Sequence, residues 1–224
     1  MKNTQLTRCK VLALPLLLFL VTVCFQNQTF AQTPCPDCVC PPVPIDDAQH
    51  NPTPIPWIPG DTCVDLYGNG CVYKICYAFR QTSANNFDYM ITQVCIPEGC
   101  EPGDSSEILQ LLHDASWFIM NSNPRNFPCP PCPNGQIQWT ENFVTCWKYV
   151  TFSGPQGGGK RISICQNHGW CLHAYKVCCN PTTGVKTFTH IRDVTTTWQC
   201  ASELPGPGET FINNCTPEAC PPVH

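Results

Sequence analysis

The placing of the cysteines constrains this chain more than any other feature. There are 20 of them, and Cys9 and Cys24 fall in a leader that reads as an export signal. Lys2, Arg8 and Lys10 give that leader a positive start. Val11 to Phe25 is apolar apart from Thr22, and Thr29-Phe30-Ala31 offers a cleavage site before Gln32. This three-part pattern is that of a secretory signal over residues 1–31. Its apolar run of about fifteen residues is short for a membrane span of about twenty, and no later stretch can cross a bilayer as a helix. Cleavage after Ala31 leaves 193 of the 224 residues and 18 of the 20 cysteines. An even count at this density in an exported chain reads as a disulfide framework, where a cytosolic chain would point to zinc. The bridge-forming candidates are Cys35, Cys38, Cys40, Cys63, Cys71, Cys76, Cys95 and Cys100 in the first half, then Cys129, Cys132, Cys146, Cys165, Cys171, Cys178, Cys179, Cys200, Cys215 and Cys220. The expected location is secreted or cell-envelope.

Charge narrows the partners. Without the three basic residues of the leader, 9 of the 12 Lys and Arg remain against 16 Asp and Glu, a net charge of −7. Nothing basic is clustered, so nucleic acid is excluded as a partner. Charged residues are scarce, and a sparsely charged surface permits association. Self-association, or contact with a surface protein or glycan, is therefore the expected partnership.

The chain divides into four parts. After the signal, residues 32–60 hold nine prolines. Proline lacks a backbone donor, so this lead is extended and forms neither helix nor central strand. Two cysteine-rich units follow, 61–122 and 123–224, and they read as an internal repeat. Tyr73-Lys74-Ile75-Cys76-Tyr77 in the first parallels Tyr175-Lys176-Val177-Cys178-Cys179 in the second. Gly70-Cys71 parallels Gly169-Trp170-Cys171, and Thr92-Gln93-Val94-Cys95 parallels Thr197-Trp198-Gln199-Cys200. Each unit follows a P-C-P-x-C run (Cys35/Cys38 and Cys129/Cys132) and closes on a Cys-x4-Cys spacing (Cys95/Cys100 and Cys215/Cys220).

Val, Ile, Thr and aromatics dominate both units, and these are strand formers. The pattern predicts hairpins of 71–79 with 87–96, 143–153 with 161–165, and 171–179 with 186–199. In the first of these, Tyr73, Ile75, Tyr77 and Phe79 fall on one face. One helix is predicted over 104–121. Asp104 and Glu107 have capping-box spacing, and Ile108, Leu111, Leu112, Ala115, Phe118 and Ile119 form an apolar stripe. The fold expected is mainly β: two small disulfide-rich β units with one connecting helix and a proline-rich lead.

Several motifs invite chemistry. The C-P-x-C runs lack the helix N-terminus that activates a redox thiol. Cys165-x2-His168-x2-Cys171-x-His173 carries the mixed sulfur and imidazole donors that suit zinc or copper. Gly154-x4-Gly159-Lys160 imitates a phosphate loop, but Arg161 stands where Ser or Thr is required, and the next residues read as strand rather than helix. Asp46-Asp47 and the pair Asp61/Asp65 read as solvated carboxylates, and His113 as a surface residue of the helix. Adjacent Cys178 and Cys179 point to opposite sheet faces and bridge separately. Trp57, Trp139, Trp147, Trp170 and Trp198 offer sugar-stacking surfaces if exposed. Asn214-Cys215-Thr216 fits a glycosylation site. No nucleophile–base–acid set emerges. No cofactor is expected and the chain reads as a non-enzyme.

The reading that follows is a non-catalytic, structural or adhesive exported protein held by disulfides. One alternative is a module that binds glycan or protein through exposed aromatics. A second is a metal-binding protein that uses the Cys165–His173 cluster. Alkylation of the denatured, unreduced exported protein followed by mass spectrometry is expected to find nearly all its cysteines blocked. About four or more reactive thiols would count against the disulfide framework and for a metal.

Overall fold

The computed structural model describes residue 40 and residues 55–133, 137–154, 157–166, 169–196 and 199–223. Residues 1–31, read as an export signal, most of the proline-rich lead with Cys35, Cys38, Asp46 and Asp47, and His168 and Trp198 lie outside the described residues.

The fold grows from one hairpin. β3 (Cys71–Ser83) and β4 (Asn86–Ile96) pair antiparallel from Lys74↔Cys95 to Ser83↔Asn86. On its outer edge β3 carries β2 (Val64–Gly68) and the two-residue β1 (Ile58–Pro59). The free edge of β4 then forks. Asn86–Met90 pair parallel with β5 (Ile137–Val144), and Gln93–Ile96 pair antiparallel with β7 (Gly157–Ile164). Between these stretches, Cys76 faces Gln93 and Tyr77 faces Ile91, so Thr92 is an extra residue against β3. A bulge of this kind bends its strand and raises its twist, which is what aims the two halves of β4 at different neighbours.

Each branch of the fork is a wing. One continues from β5 to β8 (Trp170–Cys179) and ends at β9 (Lys186–Thr196). The other continues from β7 to β6 (Cys146–Gly154) and ends at β10 (Glu209–Pro217). Thr145 alone separates β5 from β6 and turns the chain from one wing to the other. Its backbone donates to the Gly169 carbonyl at 3.0 Å and accepts from Glu218 N–H at 2.7 Å, and its hydroxyl accepts from Gly169 N–H at 3.0 Å. The corner's polar groups are thus satisfied in place. The predicted hairpins are present as β3/β4, β6/β7 and β8/β9. The strand β5, of which the expected 143–153 strand took in only Phe143 and Val144, and the strands β1, β2 and β10 are not among the expected elements. At the tip of β6/β7, a Cβ on Gly158 would come within 2.9 Å of the Phe152 carbonyl, so the glycine run serves a tight hairpin.

The helix α1 (Ser105–Ser122) starts at Asp104, whose carboxylate accepts from Ser106 and Glu107 N–H, while Glu107 accepts from Gly103 N–H. It ends at Asn123, which takes the left-handed conformation at φ 50° and returns its N–H to the Ile119 carbonyl. The predicted stripe is the buried one, with Phe118 only partly covered. His113 and Ser116 are buried in it as well, so the surface reading of His113 is corrected. α1 covers the sheet face that carries Phe79, Tyr89, Trp139, Phe143 and Tyr175. The alternation expected for a half-buried β3 fails over Ile75–Arg80, which are buried on both faces. The second face is roofed by the described end of the proline-rich lead. There Trp57 stacks on Trp170 at 6.2 Å, and the Arg80 guanidinium lies 4.1 Å over the Trp57 ring. Arg80 also donates to Asp88 at 2.8 Å, and both side chains are almost fully buried.

Seven disulfides between described residues fasten this sheet. Cys71–Cys100 and Cys40–Cys76 hold the hairpin and the lead. Cys129–Cys179 and Cys132–Cys178 hold the segment before β5 to the end of β8, and the two adjacent cysteines bridge separately. Cys146–Cys200, Cys165–Cys215 and Cys171–Cys220 anchor the C-terminal stretch. Cys63 is also disulfide-bonded, and Cys95 is buried and lies outside the seven. These bridges stay on their own side of residue 123, whereas the sheet pairs strands from both sides. The bridged loops span 29 to 54 residues, for which chain entropy gives about 3–4 kcal/mol each, not additive. Such a framework belongs to an oxidising, extracytoplasmic setting. Among the described residues, no helix is long and apolar enough to cross a membrane.

The Arg80–Asp88 pair tests the roofed face. Asp88→Ala leaves a buried cation without its carboxylate and is expected to cost about 3–5 kcal/mol. The paired replacement Arg80→Met with Asp88→Leu is expected to cost less, by equilibrium denaturation. Equal losses would show that the charges are not coupled.

Candidate functional site

Registers across the β5–β8–β9 wing place three polar side chains abreast. Glu141 faces His173, and His173 faces Asp193. Alternation puts Glu141 and His173 on the α1 side, with Trp139 and Tyr175. In β9, however, His190 and Asp193 are three residues apart, and a regular strand would send them to opposite faces. The β8–β9 register resolves this. Ala174 faces Arg192 and Tyr175 faces His190, so Ile191 is an extra residue. This bulge flips the alternation and brings His190 to the face of Asp193 and His173.

The three groups then meet. His173 Nδ1 lies 2.6 Å from Asp193 Oδ1, and His190 Nε2 lies 2.6 Å from the same oxygen. Both imidazoles therefore donate to one carboxylate oxygen, and together they hold the Asp193 carboxyl below its usual range. The row runs from dry to wet. Glu141 is 1 % exposed, whereas the Asp193 side chain is 45 % exposed. Among the described residues, His173 Nε2 has no hydrogen-bond partner, and the neighbour that can donate to the Glu141 carboxylate is the Ser116 hydroxyl. Burial pushes the Glu141 carboxyl up, against the opposing effects of the nearby Ser116 hydroxyl and His173 ring.

α1 supplies the cover. Ser116 stands beside Glu141. His113, one turn earlier, lies 5.3 Å ring to ring from Phe143, and its Nε2 is 3.3 Å from the Ala219 carbonyl. Burial lowers the His113 pKa, and the Ala219 carbonyl and Asp114 oppose that shift.

The sites foreseen in the sequence fare differently. The Cys165–His173 cluster is corrected: Cys165 is bridged to Cys215 and Cys171 to Cys220, so neither offers a thiolate, and His168 lies outside the described residues. Only His173 of that set joins the polar row. The exposure that sugar stacking requires is not met at Trp57, Trp139, Trp147 and Trp170, which are all buried in the core, and Trp198 lies outside the described residues. Asp61 pairs with Arg125 at 2.5 Å and Asp65 with Lys74 at 2.9 Å, which accounts for both carboxylates. Asn214 of the glycosylation pattern spends its side chain on the Glu203 backbone, at 3.1 and 3.0 Å, beside the bridged Cys215. Glu141, Asp193, His190 and Ser116 were missed. Their signal was present as Glu141 at an inward strand position and as H-x2-D in β9, but the bulge that unites them leaves no mark in residue type.

The chain matches no protein-family model, no curated protein and no solved structure.

Glu141 gives a signed pH dependence. Folding raises its pKa above the ordinary 4.5, so the folded state holds the proton more tightly. The stability this gives is fully present below that ordinary value and is lost as pH rises through the raised one. Glu141→Gln mimics the neutral acid. Its melting temperature is expected to match that of the native protein near pH 4 and to exceed it increasingly toward pH 8. A gap independent of pH would show that Glu141 carries no charge-linked strain.

Proposed function

We propose that this protein is a non-catalytic structural element of the extracytoplasmic space, a bridge-held sheet that joins to further copies of itself through one edge. The observation that carries this reading is the contrast between the two ends of the sheet. β10 is interrupted by two register breaks and ends at Pro217, features that blunt an edge. β9 is eleven residues long, is rich in threonine and β-branched residues, and is exposed over most of its length, including Ile191 and Val194. Among the described residues it pairs with β8 alone.

A long, exposed edge with a single bulge is a template for another strand. A second copy of β9, antiparallel to the first, meets it through a two-fold axis with the same residues on both sides. The burial of the tryptophans favours this occupant over a glycan.

The bridge pattern supports a duplicated scaffold. Cys71 pairs with the closing Cys100, and Cys171 with the closing Cys220. Cys76 and Cys178, matched in the two units, each bridge back to the proline-rich run before their unit, at Cys40 and Cys132. Cys200 and Cys215, of which one matches Cys95 and the other is extra, form Cys146–Cys200 and Cys165–Cys215, both on the β6/β7/β10 wing. On this reading that wing is an addition to a repeated core.

Sedimentation of the oxidised protein over a wide concentration range tests the proposal. The native chain is expected to associate, and Val194→Lys, which sets like charges across the two-fold axis, is expected to weaken association by roughly tenfold or more. A native chain that stays monomeric at high concentration overturns the self-association reading. Equal association of the variant places the contact away from β9.

A further inference from the structure

We propose that His173, His190 and Asp193 form a binding site for a divalent transition-metal cation, with Glu141 as the inner partner of His173. Three clusters of potential ligands occur among the described residues, and one ligand atom from each member lies within 4.8 Å of the others. In the cluster of Cys165, Glu203 and Cys215 both sulfurs belong to one bridge. In the cluster of Cys40, Cys63 and Cys76 the cysteines are all disulfide-bonded. Only the two imidazoles and the carboxylate are unbridged, and each imidazole can turn a lone pair to a cation by shifting its ring proton to its other nitrogen, His190 from Nε2 to Nδ1 and His173 from Nδ1 to Nε2.

The donor set decides the class of ion. Two imidazoles and one carboxylate suit zinc, copper and nickel, whereas calcium and magnesium favour all-oxygen sites. The geometry needs only a small change. Both nitrogens are 2.6 Å from Asp193 Oδ1. Bonds of about 2.0–2.1 Å to a tetrahedral zinc imply donor separations of roughly 3.3 Å. Asp193 must therefore retreat by less than about 1 Å, and it is the most exposed of the three. Three protein ligands leave a fourth position open on the solvent side.

The buried end supplies the independent observation. In the hydrogen-bonded arrangement His173 carries its proton on Nδ1, which leaves Nε2 in the dry interior without a partner. A cation on Nδ1 moves that proton to Nε2, on the other side of the ring. Glu141, directly across the β5–β8 register, then accepts it beside the Ser116 hydroxyl. A metal-bound histidine that donates its second nitrogen to a carboxylate is the usual outer arrangement of such sites, and it fixes the tautomer and raises ligand basicity. One ion thus accounts for the buried, unpartnered Nε2 of His173 and for the bulge at Ile191 that brings His190 to the row.

Calorimetric titration of the oxidised, tag-free protein with Zn2+ tests the site, with Co2+ absorption as the report on geometry. One site per chain is expected. His190→Ala and Asp193→Asn, both at the exposed rim and expected to leave the circular dichroism unchanged, should each weaken Zn2+ binding at least about tenfold. Glu141→Gln should weaken it by about 10–100-fold without lowering the melting temperature of the metal-free protein, a divergence that a purely structural role for Glu141 does not produce. Native binding no tighter than that of His190→Ala or Asp193→Asn overturns the site. Unchanged affinity in Glu141→Gln overturns the role of the inner carboxylate.

Discussion

The fold depends on how β4 shares its backbone hydrogen bonds. A strand has two edges, and every buried N–H and C=O on them needs a partner. β3 takes one edge of β4 along nearly its whole length, while β5 and β7 divide the other. The division falls at Thr92, where the extra residue also breaks the register with β3. One bulge therefore bends the strand and opens the junction between the wings. Because β5 and β6 are consecutive in the chain and lie on different wings, Thr145 must turn within a single residue. Its three hydrogen bonds show how completely that turn is held. α1 then seals the face where the branches diverge, and Leu112, Ala115, Ile119 and Met120 are essentially inaccessible there.

A second bulge does for chemistry what the first does for architecture. Ile191 reverses the alternation of β9, so a strand that would scatter His190 and Asp193 gathers them against His173. The two cases share a physical cause: an added residue costs ladder regularity and returns a change in direction. They differ in surroundings. Thr92 is buried between two strands, whereas Ile191 lies on a terminal strand with room for side chains to meet solvent. The polar row consequently grades from the dry carboxyl of Glu141 to the wet one of Asp193.

Much of the architecture was legible because strand and helix periodicity are local. The capping box at Asp104 and Glu107, the apolar stripe of α1 and the three hairpins follow from residue order, and each is present. The burial of His113 and Ser116 was not legible, since a stripe is read from its apolar members and a polar side chain within it is taken as solvated. The two-faced burial of Ile75–Arg80 was hidden for another reason. It depends on Trp57 reaching over Arg80 from a segment whose prolines mark it only as extended. The fork in β4 and the meeting of His173 with Asp193 are matters of register. A one-residue slip in register moves a side chain to the other face, and nothing in residue composition fixes that slip.

The tail explains why so polar a cluster persists beneath a helix. Burying the carboxyl of Glu141 beside a neutral or charged imidazole destabilises a fold unless something else supplies the margin. The local surroundings do not supply it, because burial of the carboxyl outweighs what the Ser116 hydroxyl and the His173 ring return. The covalent framework does. Cys171 lies two residues before His173 on the same face of β8, and its bridge to Cys220 holds the C-terminal stretch against the sheet. That stretch brings the Ala219 carbonyl to His113, closing the inner end of the row at the helix. The bridge acts on the unfolded chain by shortening its excursions and on the folded chain by fixing a hydrogen-bond acceptor where the helix buries a histidine. A protein stabilised in this way can keep, in its interior, a carboxyl group that hydrophobic packing alone would have excluded.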